Sequence, residues 1–373
     1  MKRIIVLAWG LVILTMTAYS QTPADVAKMR KQAEAGNVKS QVALANCLLT
    51  GKGVNVDYVE AAKWYRKAAD KGNIEACFTL GYCYEKGYGV EKNYNEAIKW
   101  YEKSANKGNL QSMNSLGHLY DVGGDGFDKN YKKAAEWYLK AAEKGYAPAQ
   151  FNLGSCYYQM KGVDLDYAQA MSWWEKAAAQ GNTAAMFNLG YCYMKGEGTD
   201  KNPEKAFSYF LQLAEGGDAR SQYEVGRMYS LGEGVAQDNM KGLEYFTKSA
   251  EKGYSPAQLS LGRFYDKGVY VDQDYEIAAK WYLKAAEQGN SEAQYNIGNM
   301  YYNGMGIEQN YEEAFKWMEK AAQQGNASAL TGLGLCYYYG YGVKRNKNVG
   351  REWVEKAILM GDEYAKEVLK KMK

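Results

Sequence analysis

Residues 72–107 read GNIEACFTLGYCYEKGYGVEKNYNEAIKWYEKSANK, and this stretch decides the fold. A glycine stands in register with Gly72 at Gly36, Gly108, Gly145, Gly181, Gly217, Gly253, Gly289, Gly325 and Gly361. Every gap is 36 residues except that from Gly108 to Gly145, which is 37 and holds its additional residue in the turn Gly123-Gly124-Asp125-Gly126. A fixed period of this size marks a solenoid, in which each copy buries its apolar face only against its neighbours. With each such glycine as register 1, nine full repeats occupy 36–360. Residues 21–35 supply a lone second helix before them, and 361–373 begin a tenth copy without finishing it. Both read as capping helices, and Lys370, Lys371 and Lys373 give the last face to water.

Each repeat reads as helix, glycine turn, helix. Asn37, Asn73, Asn109, Asn182, Asp218, Asn290 and Asn326 stand where a first-helix N-cap belongs, and Pro148 and Pro256 start that helix where the cap is missing. Registers 16 and 18 are mostly glycine, as at Gly51/Gly53, Gly87/Gly89 and Gly232/Gly234, which stops the first helix. Register 22 is Asn or Asp in every repeat, from Asp57 and Asn93 to Asn346, and predicts the N-cap of the second helix. Glu60, Glu96, Gln169 and Glu313, three residues on, suggest capping boxes.

Periodicity assigns the faces. Register 5 (Ala76, Ala149, Ala257, Ala293), register 9 (Leu80, Leu153, Leu189, Leu261) and register 12 share one stripe of the first helix. Glycine at register 10, as at Gly81 and Gly154, lets a neighbour approach closely. On the second helix, register 26 is mostly Ala and register 29 is Trp64, Trp100, Trp137, Trp173, Trp281, Trp317 and Trp353. This tryptophan ladder is expected to be the facing core, buried on both sides by stacked copies.

The first twenty residues read differently. Lys2 and Arg3, the apolar run from Ile4 to Thr17 and the small-x-small site Ala18-Tyr19-Ser20 predict a cleaved export signal over 1–20. The run is shorter than the ~20 residues of a spanning helix, so no integral membrane segment is expected after cleavage. Lys+Arg number 46 against 43 Asp+Glu, and removal of the leader would leave 44 against 43. Such a balance argues against nucleic-acid binding. With His118 the one histidine, no metal site or cofactor is expected.

The segments A-x-x-x-L-G-x-x-Y-x-x-G-x-G-V and [ND]-Y-x-x-A-x-x-W-Y-x-K-A-A-x-x-G recur across 36–373 and resemble the Sel-1-like repeat family, relatives of tetratricopeptide repeats. The resemblance implies an all-α solenoid, a right-handed superhelix of antiparallel helix pairs that mediates protein–protein contacts. Bacterial members are often exported and linked to envelope roles. Ala45 and Leu48 in the first repeat, Met160 and Lys161 in the fourth, and Tyr209 and Tyr245 in place of Trp depart from the pattern.

Cys47, Cys83, Cys156, Cys192 and Cys336 share register 12 with Leu119, Met228, Phe264 and Met300, which makes them buried apolar residues. Equivalent sites in adjacent repeats lie on the order of 10 Å apart, beyond the ~7 Å that a disulfide tolerates. In a cysteine-rich exported branch of the resembled family, a Cys at the place of Cys77 pairs with one eight residues earlier; that position here is Ala69. No structural disulfide is expected. The same branch has been discussed as penicillin-binding, which raises a β-lactam-binding or hydrolysing alternative. Ser249-Ala250-Glu251-Lys252 fits S-x-x-K but falls on a helix end common to every repeat, so catalysis is rejected.

Binding is read from what the core leaves unused. Registers 4, 7, 11 and 14 lie opposite the 5/9/12 stripe, on the face that lines a concave groove in tetratricopeptide arrays. Register 7 supplies Phe78, Phe151, Phe187, Tyr223 and Tyr295. Register 11 varies and gives Tyr82, Tyr191, Arg227 and Arg263, while register 14 adds Tyr158, Tyr302 and Tyr338. A solvated wall needs few aromatics, so this enrichment points to a protein or peptide partner, with a glycan as the alternative ligand. The expected function is a non-enzymatic interaction scaffold of the bacterial envelope, periplasmic or secreted.

Overall fold

The computed structural model describes residues 22–372; the predicted export signal lies outside them. The described residues form 20 helices and no strand, an all-α solenoid of antiparallel pairs. The described residues divide into two compact halves, one ending at Ala185 and the other beginning at Met186. Within each half, a repeat's two helices pack together and its second helix packs on the first helix of the next repeat. A helix over Pro23–Glu34 precedes the first repeat, and one over Glu363–Lys371 follows the last.

The predicted boundaries are the observed ones. Asn37, Asn73, Asn109 and Asp218 each accept a hydrogen bond from the backbone N–H three residues on. Register 22 does the same for the second helix, for example Asn93 from Glu96 and Asn310 from Glu313. The reciprocal half of the expected capping boxes is not what the glutamates do. Glu60 binds Arg30 and Trp64, Glu96 accepts from Lys99, and Glu313 from Lys316. A cation one turn along the helix, or on the N-terminal helix Pro23–Glu34 in the case of Arg30, outcompetes a single cap N–H for a carboxylate.

At the fourth repeat Met160 takes the left-handed conformation (φ 55°) that glycine adopts elsewhere in that register. Its N–H side still closes the helix, because the cap is a backbone motif and the side chain only adds strain. The insertion in the third repeat makes a tight turn, with Gly124 and Phe127 bridged, and Gly124 lies close to the Tyr94 ring.

The tryptophan ladder is where the structure corrects the sequence reading. Trp64 and Trp100 are buried, but Trp137, Trp173, Trp281, Trp317 and Trp353 are only half-buried. The fully enclosed position is the next one, register 30: Tyr65, Tyr101, Tyr138, Trp174, Phe210, Phe246, Tyr282, Met318 and Val354, none above 4% exposed. Register-10 glycine selects it. A Cβ on Gly81, Gly117, Gly154, Gly190 or Gly262 would lie 2.5–2.7 Å from the ring at register 30 of its own repeat. The missing methyl therefore admits a side chain from within the repeat. Where the register-29 indole is half-buried, the lysine one turn later covers its outer face, as in Lys140 over Trp137 (4.1 Å), Lys176 over Trp173 (3.8 Å) and Lys320 over Trp317 (4.0 Å).

In three repeats register 14 is matched to register 30. Where register 30 is Tyr101, register 14 is Glu85, which accepts from the Tyr101 hydroxyl at 2.8 Å. Tyr282 and Asp266 repeat the pair at 3.3 Å. Where register 30 is Trp174, which has no hydroxyl, register 14 is Tyr158, packed on it at 5.3 Å. Repeats are also tied by buried amides: Gln150 donates to the Ala142 carbonyl and accepts from Gln180, at 3.1 and 2.8 Å.

All six cysteines are buried. Burial pushes the thiols of Cys83, Cys156, Cys192 and Cys336 up to about 12, and raises Cys47 and Cys77 in the same direction. The Cys77 thiol donates to the Ala69 carbonyl at 3.7 Å. Two outcomes follow. Titration of denatured, unreduced protein should count six sulfhydryls, and a recovered disulfide peptide containing Cys77 would contradict it. Stability should fall as pH rises from about 9 towards 12, because unfolded thiols ionise there while native ones hold their protons. Flat thermal melts across that interval would contradict the burial.

Candidate binding site

A depression of ≈ 470 Å³ opens in the second half of the chain. Helix Thr183–Lys195 contributes Tyr191, Met194 and Lys195, and the turn after it Lys201. Phe210 from the following second helix forms the floor. The next first helix, Ala219–Leu231, contributes Tyr223, Glu224 and Arg227, and its turn Glu233. Three of the residues predicted for binding, Tyr191, Tyr223 and Arg227, are thus brought together. The repeat explains why: registers 11 and 7 of successive first helices face each other across one repeat interval.

The aromatic part is layered. Phe187 packs on Tyr191 and Phe210 at 5.5 and 5.1 Å, and Tyr191 meets Phe210 edge-on at 6.1 Å. The Arg220 guanidinium lies 3.4 Å from the Phe187 ring centre. Phe187 is buried beneath the site, whereas Tyr191 remains 41% exposed. Tyr223 is half-buried between Phe246 and Tyr254.

Charge is unevenly compensated. Arg227 pairs with Glu224 at 3.2 Å and with Glu233 at 3.8 Å. Lys195 and Lys201 have no ion pair or hydrogen bond from their ammonium groups among the described residues. The sequence reading missed Met194, Lys195, Lys201, Phe210, Glu224 and Glu233. Met194 stood at register 14, which had been singled out for its tyrosines; the turn charges had no periodic signal to mark them.

The other predicted residues sit elsewhere. Phe78 (8% exposed) and Tyr82 (9%) are in the core of the first half, packed on Tyr101 and Tyr88. Tyr82 was expected on the open wall, but its ring reaches the turn at Tyr88 and closes over it. Phe151 is half-buried, and its carbonyl accepts from the Trp174 indole at 3.1 Å. Arg263 is engaged by Glu292. Tyr295 is half-buried against the last core cluster. Tyr302 stands among Tyr311 and Tyr341, and Tyr338 is 5% exposed beside Tyr339.

Ser249 is fully buried, and its hydroxyl donates to the Ala219 carbonyl at 2.6 Å. It ties one repeat to the next, and a nucleophile would have to leave that bond and the core. His118 is exposed. Among the described residues no cluster of His, Cys, Asp and Glu could hold a metal ion, and no helix is long and apolar enough to cross a membrane.

Nine consecutive segments match the family model of the Sel1 repeat: 38–73, 74–109, 110–146, 147–182, 183–218, 219–254, 255–290, 291–326 and 327–362. Among solved structures, c5321, a protective antigen present in uropathogenic Escherichia coli strains, is 30% identical, with 93% of this chain and 90% of that one covered at a TM-score of 0.58. A Sel1 repeat protein from Oxalobacter formigenes is 31% identical, with 85% and 94% covered at a TM-score of 0.72. No curated protein sequence matches the chain.

Proposed function

The chain belongs to the Sel1 repeat family, and from that premise we propose that it is an exported, non-enzymatic scaffold holding a segment of a partner protein against its first helices, centred on Tyr191 and Arg227. Sel1 repeat proteins in general bind protein partners. The observation that carries the placement is the ≈ 470 Å³ depression, where an exposed tyrosine and an arginine from successive repeats stand over an aromatic floor. Tyrosine and arginine are the side chains that dominate interface energetics when a partner desolvates them. Export rests on the leader predicted for residues 1–20; c5321, similar over most of both chains, is described as a protective antigen.

The test is affinity capture of envelope proteins with the mature chain, followed by binding measurements on the captured partner. Tyr191→Ala with Arg227→Gln is expected to weaken binding about 30-fold or more, on the scale of ~2 kcal/mol for an interface hot spot. Tyr191→Ala alone should barely move the melting temperature, because Tyr191 is 41% exposed and exposed substitutions stay within ~0.5 kcal/mol, whereas Arg227→Gln also releases Glu224 and Glu233 and is compared with Tyr191→Ala for that reason. Unchanged binding in that variant, with loss on Lys99→Ala and Lys280→Ala, would place the partner on the second helices instead.

A further inference from the structure

We infer that the depression between the repeats starting at Gly181 and Gly217 selects an acidic peptide segment carrying an aromatic residue beside its carboxylates; this rests on the partner-binding reading above. The argument is one of charge and packing complementarity. Three cations line the depression, Lys195, Lys201 and Arg227, against two carboxylates, Glu224 and Glu233. Both carboxylates are turned to Arg227. The guanidinium is therefore satisfied within the protein, and the two lysines lining the same depression carry no ion pair among the described residues.

A ligand carboxylate meeting either ammonium would form a charge-assisted hydrogen bond, stronger than a neutral one. A neutral segment gains less there, and a basic one is repelled. Below the rim lie Phe210 as floor, Met194, and the open side of Tyr191. A flat ring from the ligand can stack on Tyr191 and reach the flexible Met194 thioether, a contact that rewards an aromatic over an aliphatic chain. Glu224, only 13% exposed at its side chain, and Glu233 would repel an acidic group placed against Arg227. Tyr191 and Lys195, four residues apart on one helix, set the ring contact of the ligand beside its carboxylate contact.

The experiment is selection of a displayed random-peptide library on the mature protein at low salt, followed by affinity measurement with synthetic, end-blocked versions of the recovered peptides. Recovered peptides should be enriched in Asp and Glu next to Phe, Tyr or Trp. Their affinity should fall about tenfold in Lys195→Gln/Lys201→Gln, be kept in Lys195→Arg/Lys201→Arg, and fall similarly when Asp and Glu are replaced by Asn and Gln. It should also weaken as salt is raised. Peptides that depend on Tyr191, tested with Tyr191→Ala, but carry no acidic enrichment or ignore the lysine changes overturn this inference and leave the proposed function standing. Peptides indifferent to Tyr191→Ala, or no recovered peptides, overturn both.

Discussion

Tyr282→Ala is expected to destabilise the second half by about 3–5 kcal/mol, the scale for removing a large enclosed ring. Tyr282 is 1% exposed and packs among Ala278, Ala285, Ala293 and Ile297. Its ring also fills the space that Gly262 leaves open, so nothing nearby can move in without a backbone shift. The neighbouring Trp281→Ala should cost less, about 1–2 kcal/mol, because Trp281 is only half-buried, packed beside Phe246 and Leu261 with Lys284 over its ring at 4.3 Å. Tyr282→Phe isolates the hydroxyl bond to Asp266 and should cost about 1 kcal/mol. Chemical denaturation of the three variants decides the order. A larger loss for Trp281 than for Tyr282 would restore the tryptophan ladder as the principal core.

The second large effect is at Gly89. A Cβ there would lie 1.8 Å from the Tyr58 carbonyl oxygen, at the start of the preceding repeat's second helix. That oxygen belongs to helix backbone and cannot rotate away as a side chain would. The residue also sits at φ 69°, which an L-amino acid with a Cβ occupies at a cost of ~1–2 kcal/mol. Strain and overpacking together place Gly89→Ala at about 3–5 kcal/mol. Gly87→Ala is the control: its φ is 76°, but the nearest atom to an added Cβ is 3.5 Å away. Only the conformational cost of ~1–2 kcal/mol remains there. Tyr270 occupies the register of Gly89 in another repeat with φ 64°, so the left-handed conformation itself accepts a side chain. The penalty thus belongs to the close approach at Tyr58. Equal thermal shifts for the two alanine variants would show that the approach is looser than these distances.

The repeat, its phase and the helix ends were legible in the sequence alone. These features rest on local chemistry: Asn73 or Asn93 caps the chain that follows it, and Gly87 ends a helix wherever the chain is placed. The 5/9/12 stripe was legible too, since Ala76, Leu80 and Cys83 recur at helical spacing and all lie in the core. Only tertiary structure decided between registers 29 and 30. Two adjacent aromatics such as Trp281 and Tyr282 point about 100° apart on a helix, and both suit an apolar face. The facing Gly262 makes the choice, through a contact between helices that no single-helix periodicity contains. Tertiary packing also sorted the predicted wall, enclosing Phe78, Tyr82 and Tyr338 while leaving Tyr191 open. It placed Lys195, Lys201 and Glu233 beside Tyr191 and Arg227 as well. Those charges come from helix ends and turns, whose neighbours are set by how one repeat stacks on the next, and stacking is a property of the folded pair rather than of either segment.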